Sequence, residues 1–189
     1  MASQANNEEF PNQALVPYEH VTETVTLEQI RNSSSRAIDQ GEATLQLLSI
    51  GGQELAPWCH NALQRAVLEL LGRWVIIVRG SLRARQIASM RDSYVNALLI
   101  ASRGGAVPRP CRACRQQALL YPDGYSRPFP VCTKLRGHFG GSCASCKFRD
   151  HAARCTVRDG GPEDPGELRF EPILPALPAP EEAPYEGAN

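Results

Sequence analysis

The stretch PCRACRQQALLYPDGYSRPFPVCTKLRGHFGGSCASCKFRDHAARC, Pro110 to Cys155, holds six of the chain's seven cysteines and eight of its twenty Lys and Arg residues. Cys111 and Cys114 form one C-x2-C pair and Cys143 and Cys146 a second, while Cys132 and Cys155 are separated from the cysteine before them by 17 and 8 residues. Two intervening residues let both thiolates of a pair face one ion from a tight turn, and the small residues of GGSCASC allow the backbone to approach closely. Paired C-x2-C units in a reduced compartment predict zinc ligation. The N-terminal residues MASQANNEEFPNQALVPYEH have neither a basic lead nor an apolar run, which predicts an intracellular chain with reduced thiols. Seven cysteines also leave one over in a fully paired disulfide framework, and the helix, Gly-Gly and Pro-rich loop before Cys111 are not the βαβ setting of a redox C-x2-C.

Outward from this stretch, charge divides the chain. Met1 to Ala56 carries a net −6, Pro57 to Ser102 +4, Arg103 to Arg158 +9 and Asp159 to Asn189 −7, so a total of zero conceals a basic centre between acidic ends. The basic charge coincides with the cysteines. Arg112, Arg115, Lys134, Arg136, Lys147, Arg149 and Arg154 sit between the ligands, where a small metal-stapled module has no deep core to hide them, so they are expected to face water or a partner. Phosphate contact with DNA or RNA is the expected use, and pairing with the chain's own acidic ends is the alternative.

Upstream, the pattern reads as helical. Thr26 and Gln29 can form a capping box, and Leu27, Ile30, Ser34, Ala37/Ile38, Gly41, Leu45 and Leu48 recur at helical intervals. A second helix is expected from Pro57, where Trp58/Cys59, Ala62/Leu63, Ala66/Val67 and Leu70/Leu71 repeat before Gly72. WVIIV, Trp74 to Val78, fits either a strand or a continuation of that helix. A third helix is expected from a Ser81 cap through Leu82, Ile87, Met90, Tyr94, Val95, Leu98 and Leu99 to Arg103. Cys59 falls on an apolar face and reads as a core side chain. Arg79, Arg83, Arg85 and Arg91 read as a solvated face.

The expected architecture is therefore mainly α. A disordered arm spans 1–24, a helical region 25–103, a loop-rich zinc-stabilised cysteine module 104–158 and a disordered Pro-rich acidic tail 159–189. The three helices make a small bundle, or half of a homodimeric one. Protein partners are expected for the helical region and for the tail segments LRFEPILPAL and P-x-x-P. The longest apolar run is too short to span a bilayer, so no membrane partner is expected. No catalytic constellation is visible, because His20, His60, His138 and His151 have no recognisable nucleophile or carboxylate pattern beside them, and zinc held wholly by thiolates keeps no open position.

The segments RPCRAC, RPFPVC, GGSCASCKF and ARCTVRD together resemble the cysteine-rich signature of an uncharacterised family of fungal proteins, in which PF-x-x-C and a GACANC-like element recur. More loosely, the cysteine order is similar to the binuclear zinc cluster of fungal transcription factors, in which six thiolates hold two zinc ions. That resemblance implies Cys111 and Cys143 as bridging ligands, Cys114 and Cys132 completing one site and Cys146 and Cys155 the other. It also implies a nuclear, transcription-related role. Where those clusters place a basic reading helix, this chain has QQALLYPDGYSRPFPV, so phosphate contact is expected without base-specific reading. A mixed ligand set remains open from the residues themselves. Cys143, Cys146, His151 and Cys155 are spaced nearly as a zinc knuckle, which would leave Cys111, Cys114, Cys132 and His138 for a second ion.

Overall fold

The computed structural model describes residues 21–33, 44–89 and 91–166. Most of both terminal arms, together with Ser34, Ala37/Ile38, Gly41 and Met90 of the expected helical stripes, lies outside the described residues. The described fold is mixed α/β, not mainly α. Six helices run as α1 (Leu27–Asn32), α2 (Ala62–Leu68), α3 (Ala84–Ala88), α4 (Asp92–Arg103), α5 (Arg112–Ala118) and α6 (Ala144–Phe148). Strands β1 (Val21–Val25), β2 (Leu45–Leu48) and β3 (Val75–Val78) form one sheet in that order, β1 parallel and β3 antiparallel to β2. Strands β4 (Gly105–Ala106) and β5 (Thr133–Lys134) form a second, antiparallel pair.

The correction arises at LQLL and VIIV. All eight residues are buried, Leu45, Leu47, Ile76 and Val78 in one apolar cluster and Leu48, Val75 and Ile77 in another. A strand covered on both faces reads as an unbroken apolar run, so its period of two is invisible in sequence. Leu45 and Leu48, three apart, thus imitate a helical stripe. The register pairs Leu45 with Val78, Leu47 with Ile76 and Leu48 with Val75, so β-branched side chains of β3 meet leucines across the ladder.

The helices differ from expectation in their boundaries. Thr26 and Gln29 do form the capping box of α1, at 2.8 and 3.1 Å. Pro57 begins no α-helix. It lies in a 3-10 turn, Ala56–Trp58, and α2 starts at Ala62, where the Asn61 side chain accepts from Gln64 N–H at 2.9 Å. The expected third helix is split into α3 and α4. Cys59 is 8% exposed within the main core, as a small apolar side chain would be.

Helix α4 is the centre of the molecule. Val95, Ala97, Leu98, Leu99, Ile100 and Ala101 are all buried, and they share one core with Ile50, Val67 and Ile77 on one side and with Phe129, Ala144 and Phe148 on the other. Phe148 packs against Tyr94 with the rings tilted by 40° and their centroids 4.7 Å apart, and meets Phe129 edge-on at 6.1 Å. At the end of α4 the enclosed Arg103 donates to the carbonyls of Ile50 at 2.7 Å, Gly52 at 2.6 Å and Leu68 at 3.2 Å. Gly72 is required beside it, since a Cβ there would lie 2.3 Å from Gly51 O and 2.9 Å from Arg103 Cζ. Among the described residues no helix is long and apolar enough to cross a membrane.

Arg103→Ala is expected to destabilise the protein by about 2–4 kcal/mol, because buried carbonyls lose their donor. Urea unfolding of the full chain measures this. Arg103→Lys is expected to recover only part of the loss, since one ammonium cannot span three diverging carbonyls.

Candidate metal centre

The two C-x2-C pairs adopt the same local structure. Cys111 is the N-cap of α5 and its sulfur accepts from Cys114 N–H at 3.4 Å; Cys143 is the N-cap of α6 and accepts from Cys146 N–H at 3.4 Å. Each pair thus wraps the first turn of a short helix, with both sulfurs on one side. Cys132 is fixed at the start of β5, where its carbonyl accepts from Val107 N–H at 2.8 Å. Cys155 follows a 3-10 turn, Ala152–Arg154, and its sulfur accepts from Cys143 N–H at 3.3 Å. Gly141, at φ +64°, lies against the Asp159 carboxylate, where a Cβ would come 2.1 Å from Asp159 Cγ.

These elements converge on six buried sulfurs, each residue at most 3% exposed. Two groups of four form, Cys111, Cys114, Cys132 and Cys143, and Cys111, Cys143, Cys146 and Cys155, with the ligand atoms of each group within 4.8 Å of one another. The division is the one that the binuclear-cluster resemblance implied, with Cys111 and Cys143 common to both. Sulfur separations are 3.7 Å for Cys111–Cys143, 3.6 Å for Cys111–Cys146 and 3.8 Å for Cys114–Cys143. A tetrahedron with metal–sulfur bonds of about 2.3 Å has an edge of about 3.8 Å. A disulfide needs about 2.05 Å, and all seven cysteines are free.

The crowding has an electrostatic consequence. Hydrogen bonding within the cluster, led by Cys111, and then burial push the thiols of Cys132, Cys143 and Cys146 up, while the hydrogen bond from Cys111 and those from its neighbours hold Cys114 well below the usual thiol range. Six sulfurs so close, and so dry, share protons unless a cation takes their place. The donor set fits a thiophilic ion with tetrahedral preference.

The histidines stand outside both groups. His151 is exposed and engages the centre through its backbone, N–H to Cys146 O at 2.8 Å, while His138 Nδ1 lies 3.0 Å from Arg136 O. His60, which shows no carboxylate partner in sequence, meets Asp92 at 2.8 Å, with its other ring nitrogen 3.1 Å from Trp58 O. His20 lies outside the described residues.

The basic residues separate into two sets. Lys134, expected to face water or a partner, is instead enclosed at 1% exposure, with Nζ 2.8 Å from Val157 O, 2.8 Å from Asp164 and 3.0 Å from Asp159. Arg115 pairs with Glu163 at 2.9 Å and also donates to Pro110 O. Arg149 is half-buried and donates through Nε to Ser145 O at 3.1 Å. Arg112, Arg136 and Arg154 are exposed and Lys147 is half-buried. Arg109 and Arg158, which the sequence reading left out, are exposed as well. The partners of Lys134 and Arg115 are Asp159, Glu163 and Asp164, the start of the acidic end that the sequence offered as the alternative use of the basic charge. In the structure, residues 159–166 fold back on the module as a clip. The Lys134 ammonium and the N–H groups of Gly160 and Gly166 hold Asp164 at about 2, and Gly137 N–H binds Asp159 at 2.8 Å. The available signal was the excess of acid immediately after an excess of base.

A family model described as "Protein of unknown function (DUF3716)" matches residues 97–158, the end of α4 and the whole cysteine-rich stretch. No curated protein and no solved structure matches the chain.

A His138→Ala, His151→Ala double variant is expected to retain the metal content of the parent protein, measured by atomic emission on protein purified under reducing conditions. Loss of metal from that variant would restore the mixed cysteine and histidine set.

Proposed function

We propose that the chain is a zinc-binding protein in which six cysteines hold two ions, and that its basic module contacts nucleic-acid phosphates in the nucleus as a transcription-related adaptor. The metal half rests on one observation: two four-sulfur groups that share Cys111 and Cys143. Four thiolates around each ion complete a tetrahedron, so the zinc is structural and keeps no position open for a substrate, and no enzymatic activity is proposed. Bridging by Cys111 and Cys143 lets six thiolates serve where two separate sites would need eight. Each shared sulfur also accepts the N–H that closes its own helical turn, which orients it and offsets part of its charge.

Zinc analysis of the reduced protein is expected to find two ions per chain. Cys111→Ser and Cys143→Ser each remove a ligand from both groups and are expected to lose both ions. Cys132→Ser and Cys155→Ser each touch one group and are expected to keep one ion. Absence of stoichiometric metal, with disulfides in protein taken from its native compartment, would overturn the reading.

The nucleic-acid half is supported by six cations, Arg109, Arg112, Arg136, Lys147, Arg154 and Arg158, which have no ion-pair partner among the described residues and are exposed or half-exposed around the sulfur cluster. Two zinc ions and six thiolates together carry −2, too little to neutralise them. The full chain is expected to retain an oligonucleotide at low ionic strength, with affinity falling steeply as salt rises and with little preference between sequences. Replacing Arg112, Lys147 and Arg154 by Ala should lower both the affinity and the salt slope while zinc stays bound.

A second reading, a protein-interaction module in which zinc only holds the fold, is favoured by the enclosure of Lys134 and by Leu119 and Leu120, which are 71% and 77% exposed at the end of α5. Failure of the metal-loaded protein to retain DNA or RNA at low ionic strength would put this reading first.

A further inference from the structure

The clip touches the module at two places of different character. At Lys134 the ammonium is enclosed and answered by Asp159, Asp164 and the Val157 carbonyl, so this contact is part of the interior. At Glu163 the carboxylate lies at the surface, 27% exposed, and rests on Arg115 and on the Thr156 hydroxyl. The groups receiving it are fixed by other bonds. Arg115 is anchored through its second guanidinium nitrogen to Pro110 O, and Thr156 Oγ1 accepts from Arg112 N–H at 3.0 Å. A guanidinium and a hydroxyl converge on one oxyanion, and both are also held by bonds that do not involve it.

We propose that this cradle of Arg115 and Thr156 is a binding site for a backbone phosphate of nucleic acid, and that Glu163 is a tethered carboxylate that occupies it until a phosphate displaces it. The inference rests on the phosphate-binding reading above. A guanidinium fork and a hydroxyl suit a phosphate oxyanion as well as a carboxylate. The pair is half-buried, and the carboxylate keeps one side open to solvent, from which a phosphate can approach. Because Lys134 secures the clip independently, Glu163 needs only to rotate away. The exposed Arg112, Arg154 and Arg158 lie within three residues of Arg115 or Thr156 in the chain and add positive charge to the same short segments.

The test compares full-length, zinc-loaded variants for binding a fluorescent oligonucleotide across a salt series. Glu163→Ala is expected to bind about three- to tenfold more tightly than the parent at low salt, with the logarithmic salt slope steeper by about 0.7–0.9, the release of one further counterion. Glu163→Gln, which keeps an acceptor for Thr156 and preserves the shape of the clip, is expected to show a smaller gain, and it decides the matter if Glu163→Ala loses zinc. Adding Arg115→Gln to Glu163→Ala should abolish the gain. Glu28→Gln, a charge change of the same sign on α1, should leave binding near the parent value. An equal gain from Glu28→Gln, a gain that survives Arg115→Gln, or no gain at all in a parent protein that does bind, would overturn the gate while leaving nucleic-acid binding in place. Tight binding of inorganic phosphate by Glu163→Ala without a gain for the oligonucleotide would identify free phosphate as the ligand and overturn the backbone assignment. If no variant retains the oligonucleotide at low ionic strength, the nucleic-acid reading fails and the gate fails with it.

Discussion

Six sulfurs gathered in a buried pocket, with three neighbouring pairs 3.6 to 3.8 Å apart, can carry their charge together only beside a cation, and the second half of the fold is organised around that constraint. The N-termini of α5 and α6, the start of β5 and the turn before Cys155 all end at the cluster. None of these pieces is large enough to build a core alone. Their positions are set by where the sulfurs must point, and the two short helices meet the cluster in matching ways because Cys111 and Cys143 each belong to both groups.

Around that cluster the positive charge is only partly a surface property. Lys134 and Arg115 are committed to carboxylates 25 to 48 residues further on, and these contacts fold residues 159–166 onto the module. Breaking a buried pair from one side leaves a charge without a partner, so Lys134 belongs to the architecture rather than to a partner's surface. Arg109, Arg112, Arg136, Arg154 and Arg158 are of a different kind, exposed and without an ion-pair partner among the described residues.

What the sequence revealed follows from how local each signal was. The six cysteines were legible because two intervening residues fix the separation of a ligand pair whatever the surrounding fold, and a cysteine order shared with known clusters supplied the grouping. Thr26 and Gln29 were legible for the same reason, since a capping box closes within one turn. Leu45 and Leu48 were misread because their partners, Val78 and Val75, lie some thirty residues away and a doubly covered strand shows no alternation. Pro57 suggested a helix start, yet the Asn61 side chain, four residues on, supplies the cap. Lys134 was misread by a rule of thumb that small metal-stapled modules bury no cation. The rule failed because Asp159 and Asp164 were counted with the tail.

Helix α6 has two allegiances: Cys143 and Cys146 belong to the sulfur cluster, while Ala144 and Phe148 belong to the core of α4. By mass action, an ion bound only by the folded form stabilises everything that folds as a unit with its site, by about 2.7 kcal/mol when its concentration is a hundredfold above the dissociation constant. Through α6 that unit extends to β2, β3 and α2, none of which contributes a cysteine to the cluster. A fragment cut at residue 104 would lay Phe129, Phe148 and Ala144 open to water, and its metal would hold together a surface that the intact chain keeps dry. The supply of whichever metal ion fills the cluster would then set how much of the whole protein escapes unfolding and proteolysis, with the amino-terminal sheet reporting on a site to which it contributes no ligand.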